Sequence, residues 1–69
     1  MRDRKVYHVM PHSEHNWQVR SEDAEKAIGT HDTKEEAVAA GKKVAKNHEP
    51  SRLVIHKHDG TIQVAYTYG

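Results

Sequence analysis

Short runs of β-branched, aromatic and apolar residues recur along this chain and predict β-strands. In several of these runs apolar and polar residues alternate, which is the pattern of a strand with one buried face. Proline, asparagine or glycine residues bound the runs. The pattern predicts strands over residues 6–10, 17–20, 52–58 and 61–68, and a shorter edge strand over residues 26–30.

One helix is predicted between Asp32 and Pro50, because small apolar residues recur there at three- and four-residue spacing. Thr33 followed three residues later by Glu36 is the capping-box pattern of a helix start. Pro50 disfavours helical geometry at the preceding residue. The shared face consists of Ala37, Val38, Gly41, Val44 and Ala45. Since all of these are small, we expect the helix to pack close against a sheet.

The dipeptide Asp59-Gly60 between two strands predicts a tight hairpin with a type I′ turn, which needs positive φ at both residues. That turn pairs His58 with Thr61 and His56 with Gln63. It also pairs Ile55 with Val64 and Leu53 with Tyr66. The face predicted to pack on the helix contains Tyr7, Val9, Trp17, Val19, Leu53, Ile55, Ile62, Val64 and Tyr66.

These elements predict an α+β fold. We expect a single five-stranded, mainly antiparallel sheet in the order β-β-β-α-β-β, with one helix on one face and the first strand at the centre. The length of 69 residues predicts one small domain over residues 1–69.

Composition narrows the functional classes. The chain contains no cysteine, which excludes disulfides and thiolate metal sites and fits a reducing compartment. No apolar run approaches the ~18 residues of a membrane span, and the N-terminus lacks a signal-peptide pattern. We therefore expect a cytoplasmic location. The formal net charge of +1 is too balanced to argue for nucleic-acid binding from bulk charge.

Catalytic sequence motifs are missing from the chain. There is no nucleophile elbow, phosphate-binding loop or paired-carboxylate pattern. A single sheet under one helix also provides no deep pocket from which water is excluded. We therefore expect neither an enzymatic activity nor a cofactor.

Histidine is abundant, with seven residues. His56 and His58 are two positions apart on one predicted strand, so their side chains point the same way. His8 falls on the same face. Three imidazoles on one face could bind Zn²⁺ with water as the fourth ligand, or they could simply be solvated. We favour solvated histidines and no metal.

The sheet face opposite the helix is the main candidate for a binding surface. It combines apolar with neutral polar residues, a composition that suits an interface better than a solvated face. We expect it to bind a protein partner or a second copy of the chain. Its residues are Val6, His8, Met10, Val54, His56 and Gln63.

Nucleic-acid binding is the alternative. Lysines lie in the second half of the helix, where the helix dipole alone would favour them, and arginines near the N-terminus could extend that basic surface. Its candidate residues are Arg2, Arg4, Arg20, Lys42, Lys43 and Lys46.

The order of these patterns resembles a family of short bacterial proteins, catalogued as domain of unknown function 2188. The resemblance covers nearly the whole chain. It is carried most specifically by residues 32–37, Asp-Thr-Lys-Glu-Glu-Ala, and by the Ile-His and Asp-Gly pairs at residues 55–56 and 59–60. The resemblance implies the fold and a bacterial source but no chemistry.

Overall fold

The elements of the computed structural model follow the predicted order β-β-β-α-β-β. They are β1 (Lys5–Pro11), β2 (Trp17–Ser21), β3 (Ala27–His31), α1 (Lys34–Asn47), β4 (Ser51–His56) and β5 (Ile62–Tyr68). The structure describes residues 4–12, 16–22 and 27–69. The predicted α+β fold is confirmed.

All five strands form one sheet in the order β3-β2-β1-β4-β5, with β1 at the centre as predicted. The β1–β4 pair is parallel. The β1–β2, β2–β3 and β4–β5 pairs are antiparallel. The sheet is therefore mixed but mostly antiparallel, and α1 is the connection that carries the chain across it from edge strand β3 to β4.

The capping residues predicted for α1 occupy their expected positions. The Thr33 side-chain oxygen accepts a hydrogen bond from the Glu36 N–H at 3.2 Å. At the other end, the buried Ser51 hydroxyl donates to the Ala45 carbonyl. These contacts satisfy backbone groups that a helix end leaves without intrahelical partners.

Gly41 lies where the helix comes closest to the sheet. A Cβ atom at this position would be 2.9 Å from Val9 Cγ2 and 3.0 Å from Leu53 Cδ1. The predicted close approach of a small helix face is therefore confirmed. The buried hydrophobic core around this contact consists of Tyr7, Val9, Val19, Ala37, Ala45, Leu53 and Ile55. Trp17, Val38, Ala40, Val44 and Tyr68 are partly buried against it.

The predicted core was wrong for β5. Ile62, Val64 and Tyr66 were expected beneath the helix but are 64%, 36% and 38% exposed. The helix packs on β1, β2, β3 and β4. Five strands span about 19 Å at their usual spacing, whereas a helix with its side chains is only about 10–12 Å across. One helix over the centre of the sheet therefore leaves Val64 and Tyr66 uncovered, whereas Ile62 pairs with His56 and lies on the side of the sheet opposite the helix.

The turn between β4 and β5 also differs from the prediction. Gly60 has a φ of 92°, but no non-glycine residue of the described chain has positive φ, which rules out a type I′ turn. The Gly60 N–H donates to the Lys57 carbonyl at 2.9 Å, and the Lys57 N–H donates to the Thr61 carbonyl at 2.7 Å. Lys57, rather than His58, therefore lies opposite Thr61.

A register shift farther along the hairpin compensates for this displacement. Ile55 pairs with Val64 as predicted, but His56 pairs with Ile62, so Gln63 is an extra residue on β5. The predicted His58–Thr61 and His56–Gln63 pairs were wrong, and the Leu53–Tyr66 pair is confirmed. The hairpin therefore combines a longer turn with a β-bulge.

No helix in the described part of the chain has both the length and the apolar character that crossing a bilayer requires.

Candidate interaction surface

The open face is the side of the sheet opposite α1, and strand pairing determines which residues lie on it. Directly opposite residues of neighbouring strands place their side chains on the same face. His8 lies opposite Arg20 of β2 and Val54 of β4, and Met10 lies opposite Gln18. The sheet therefore brings these residues together as the alternation predicted.

Burial on the open face is uneven. Val54 is only 6% exposed and Gln18 only 8% exposed, although both lie on the side away from the helix. Val6, His8 and Met10 are half-buried. The open face therefore has a packed centre, and Val54 is not the accessible contact residue that the sequence suggested.

His8 and His56 form a direct contact on the open face. His8 Nδ1 and His56 Nε2 are 2.9 Å apart. At one end of the pair, His56 Nδ1 lies 2.9 Å from the Gly60 carbonyl oxygen. At the other end, His8 Nε2 lies 3.5 Å from a Glu22 carboxylate oxygen. A chain of polar contacts thus runs from the β4–β5 turn to the end of β2.

The roles of the ring nitrogens in this chain depend on the tautomers of the two histidines. A carbonyl oxygen only accepts, so His56 Nδ1 donates to Gly60 in the tautomer that carries its proton there, and His56 Nε2 then accepts from His8 Nδ1. His8 Nε2 forms an ion pair with the Glu22 carboxylate only when His8 is protonated.

The three-histidine metal site does not form. His8 and His56 lie together, but His58 is an exposed residue of the turn. Among the described residues, no group of three or more histidine, aspartate or glutamate side chains could hold a metal ion. Hydrogen bonding between His8 and His56 instead occupies the nitrogen atoms that would face a shared metal.

Gln63 is not on the open face, which corrects the prediction for this residue. Its side-chain oxygen accepts a hydrogen bond from Lys34 Nζ at the start of α1. The β-bulge accounts for this position, because it shifts the alternation of β5 by one residue. Ile62 now lies opposite His56 and takes the place on the open face that Gln63 was expected to fill.

Strand β5 is the most exposed apolar element of the described chain. It forms one edge of the sheet, and only Tyr68 among its seven residues is even partly buried. On its helix side, Lys42 Nζ lies 4.9 Å from the centre of the Tyr66 ring, within the range of a cation–π contact. Beside it, an open groove of about 380 Å³ is lined by Lys34, Glu35, Val38, Ala39 and Lys42.

The basic residues of the nucleic-acid alternative do not share one surface. Lys42, Lys43 and Lys46 are exposed on α1. Arg20 lies opposite His8 and is therefore on the other side of the sheet from the helix. Arg4 is exposed just before β1, and Arg2 lies outside the described residues. The helix lysines alone form a local basic group.

Among the residues that the structure describes, two titratable side chains have shifted pKa values. Burial raises the pKa of the Tyr7 phenol above its ordinary value of 10.0. Hydrogen bonds from the Thr61 hydroxyl and the Thr61 N–H to the Asp59 carboxylate lower the pKa of Asp59. These donors lie 2.7 Å and 3.0 Å from Asp59 Oδ1. Tyr7 lies in the core and Asp59 lies in the β4–β5 turn, so neither of these shifted groups is on the open face.

Comparison with known proteins supports the resemblance found in the sequence. Residues 7–68 match the family described as "Uncharacterized protein conserved in bacteria (DUF2188)". The chain belongs to the DUF2188 family. The match covers every strand of this DUF2188 domain apart from the first two residues of β1.

A curated relative of this DUF2188 chain is the uncharacterized protein YdaT of Bacillus subtilis (strain 168). The two are 34% identical over 59 residues, which are 86% of this chain and 38% of YdaT. The chain thus spans well under half the length of that relative. No solved structure matches the chain.

Sequence reasoning overlooked two features of this DUF2188 domain. It did not pair Glu22 with His8, because Glu22 lies in a turn after β2, where strand alternation assigns no direction to the side chain. It also placed Val64 and Tyr66 of β5 in the core, because alternation assigns them to the helix side of the sheet but does not show whether the helix reaches them.

Proposed function

We propose that this domain is a protein-interaction module that uses the open face of its sheet. The observation that carries the proposal is that no second layer covers this face in the described residues, while Val6 and Met10 remain half-buried on it. An apolar sheet face is usually packed against another layer. A partner protein would provide that layer.

The polar groups of the open face are compatible with being covered. His8 and His56 contact each other, and their outer nitrogens contact Glu22 and the Gly60 carbonyl. The cost of burying polar groups comes mainly from those left without a hydrogen-bond partner. Because these groups already have partners within the chain, a docked protein would not have to replace water at each of them.

The test uses two single lysine substitutions on opposite sides of the molecule. Met10→Lys introduces a charge on the open face, and Ala39→Lys introduces the same charge at an exposed position of α1. Val54 is unsuitable, because a lysine at a position only 6% exposed would itself destabilise the fold. Melting curves first establish that both variants are folded.

Tagged wild-type protein and both variants are then used to capture proteins from a bacterial lysate. We expect the same captured protein with the wild type and with Ala39→Lys, and loss of that protein with Met10→Lys, because the new charge lies in a surface that becomes desolvated. Equal capture by all three proteins, or no specific capture by the wild type, would contradict the proposal.

A further inference from the structure

The free edge of β5 combines backbone hydrogen-bonding groups with uncharged side chains. β5 is paired only with β4, so its other edge has no neighbouring strand in the described sheet. All seven residues, Ile62–Tyr68, are uncharged, whereas 30% of the chain is charged. Edge strands are commonly protected from pairing by charged side chains, proline, bulges or short length. Apart from the bulge at Gln63, β5 has none of these protective features.

The opposite edge of the sheet is less suited to pairing. β3 has five residues, Ala27–His31, and its pairing with β2 shifts register between Val19 and Arg20. An irregular, short strand offers fewer aligned hydrogen bonds. A contact between β3 of one copy and β5 of another would also continue into an open filament, whereas a β5–β5 contact closes as a dimer.

We propose that two copies of this chain pair through antiparallel β5 strands. The pair would form a continuous sheet with twice the five strands of one copy. This inference goes beyond the proposed function and does not depend on it, because pairing at the edge leaves both open faces uncovered. The two open faces would then lie side by side on the same sheet.

The position of the two-fold axis follows from the bulge. Beyond Gln63 the regular part of β5 runs from Val64 to Tyr68, and Tyr66 is at its centre. An axis beside Tyr66 lets every residue of this run pair. Tyr66 then lies opposite Tyr66 of the second copy, and Val64 lies opposite Tyr68.

A second copy of the chain fits this edge better than a charged peptide does. Pairing β5 with itself places only uncharged side chains opposite each other, and aromatic and β-branched cross-strand pairs are favourable. The groove beside α1 leaves space on the helix side of β5. Lys34 and Lys42 line this groove. Lys34 donates a hydrogen bond to Gln63, and Lys42 contacts the Tyr66 ring, so the groove lies directly beside β5.

The first test uses lysine substitutions at the two edges of the sheet. Tyr66→Lys places two lysines opposite each other at the proposed axis, where like charges repel. Thr30→Lys introduces the same charge at an exposed position of β3. Sedimentation velocity over a concentration series should show a species of twice the 7.9 kDa chain mass for the wild type and Thr30→Lys. Tyr66→Lys should stay monomeric.

A cysteine variant tests the same contact if Tyr66→Lys fails to fold. The chain contains no cysteine, so each introduced residue is the only thiol. Directly opposite residues of antiparallel strands have Cα atoms about 4.5–5.5 Å apart, which a disulfide can bridge. Mild oxidation should convert Tyr66→Cys to a covalent dimer much faster than the control Thr30→Cys.

Three results would overturn the pairing. The first is a wild-type chain that remains monomeric at every concentration. The second is a disulfide that forms equally fast at residues 66 and 30. The third is a dimer that survives Tyr66→Lys but is lost in Met10→Lys, which would place self-association on the open face. Loss of partner capture in Met10→Lys with an intact dimer would support both proposals separately.

Discussion

His8 Nδ1 lies 2.9 Å from His56 Nε2, although 48 positions of sequence separate the two residues. The contact crosses the parallel pair β1–β4, in which His8 is aligned with Val54 rather than with His56. The two imidazoles therefore meet diagonally across neighbouring strands. Their outer nitrogens contact Gly60 at the β4–β5 turn and Glu22 beyond β2. One polar chain thus runs from the β4–β5 turn through β4 and β1 to the turn after β2.

This contact should appear as a coupling energy between the two histidines. We expect His8→Ala and His56→Ala to be non-additive by about 0.5–1.5 kcal/mol in the free energy of unfolding, the usual net value of one hydrogen bond. Urea denaturation of the two single variants and the double variant measures it. His58→Ala, at an exposed position, should change stability by less than about 0.5 kcal/mol. Strict additivity of the two substitutions would mean that the rings do not interact in solution.

The sequence predicted the helix and its packing well because the signals involved are local. The hydroxyl of Thr33 and the N–H of Glu36 are three residues apart, so the capping pattern can be read directly from the chain. The role of Gly41 could also be anticipated, since glycine within a helix carries an energetic cost that close packing explains. Both predictions depend on residues within one or two helical turns.

The sequence could not predict which strands the helix covers. Alternation correctly assigned Val64 and Tyr66 to the side of the sheet that carries α1. It contains no information on the lateral position of the helix, which depends on where Gly41 meets Val9 and Leu53. The exposed side of β5 was therefore mistaken for core.

The bulge and the histidine contact were missed for related reasons. Asp59-Gly60 is compatible with more than one turn, and the observed turn differs from type I′ because φ is not positive at Asp59. The turn that forms is accompanied by the β-bulge, which moves Gln63 away from the open face. The His8–His56 contact depends on the register of a parallel pair that is joined through a helix, and such a register leaves no local pattern in the sequence.

Acid should weaken the β4–β5 turn through Asp59. The hydrogen bonds from Thr61 hold the pKa of Asp59 below its ordinary value of 3.8. The folded chain therefore binds this proton less readily than the unfolded chain does. The associated stability is present above about pH 4 and is lost as pH falls through the lowered pKa. Asp59→Asn, which keeps an acceptor oxygen but does not titrate there, should show a smaller loss of stability between pH 5 and pH 2, measured by urea denaturation. Identical pH profiles would contradict the shift.

The nucleic-acid alternative makes a prediction about salt. Because Arg20 lies across the sheet from α1, phosphate contact through the helix should perturb only the amide signals near Lys42, Lys43 and Lys46. Such binding is strongest at low salt and weakens steeply as counterions compete. Titration with duplex DNA and RNA at about 50 mM salt, followed by NMR, tests it. Lys43→Glu should abolish the shifts, and their absence in the wild type would eliminate this alternative.

Alkaline pH should destabilise the fold through Tyr7. Burial raises the pKa of this phenol above its ordinary value of 10.0, because the charged form is poorly solvated in the core. The stability linked to Tyr7 is therefore fully present below pH 10.0 and is lost as pH rises through the raised pKa. Tyr7→Phe should flatten the loss of stability above pH 10, and Tyr66→Phe controls for removal of a more exposed hydroxyl. An unchanged profile in Tyr7→Phe would show that another group governs alkaline unfolding.

Gly41→Ala sets two opposing effects against each other. Alanine favours a helix interior over glycine by about 1 kcal/mol. The added methyl would, however, lie 2.9 Å from Val9 Cγ2 and 3.0 Å from Leu53 Cδ1, so the core must shift. Overpacking of this kind usually costs about 1–3 kcal/mol.

The packing cost should exceed the gain in helix propensity, because Val9 is β-branched and completely buried and has little room to move. We expect Gly41→Ala to lower the free energy of unfolding by about 1 kcal/mol. The reverse exchange at an exposed helix position, Ala39→Gly, measures the propensity effect without packing. A stabilised Gly41→Ala variant would mean that the helix can move away from β1 and β4 at little cost. In that case, Gly41 would not be what determines the position of the helix on the sheet.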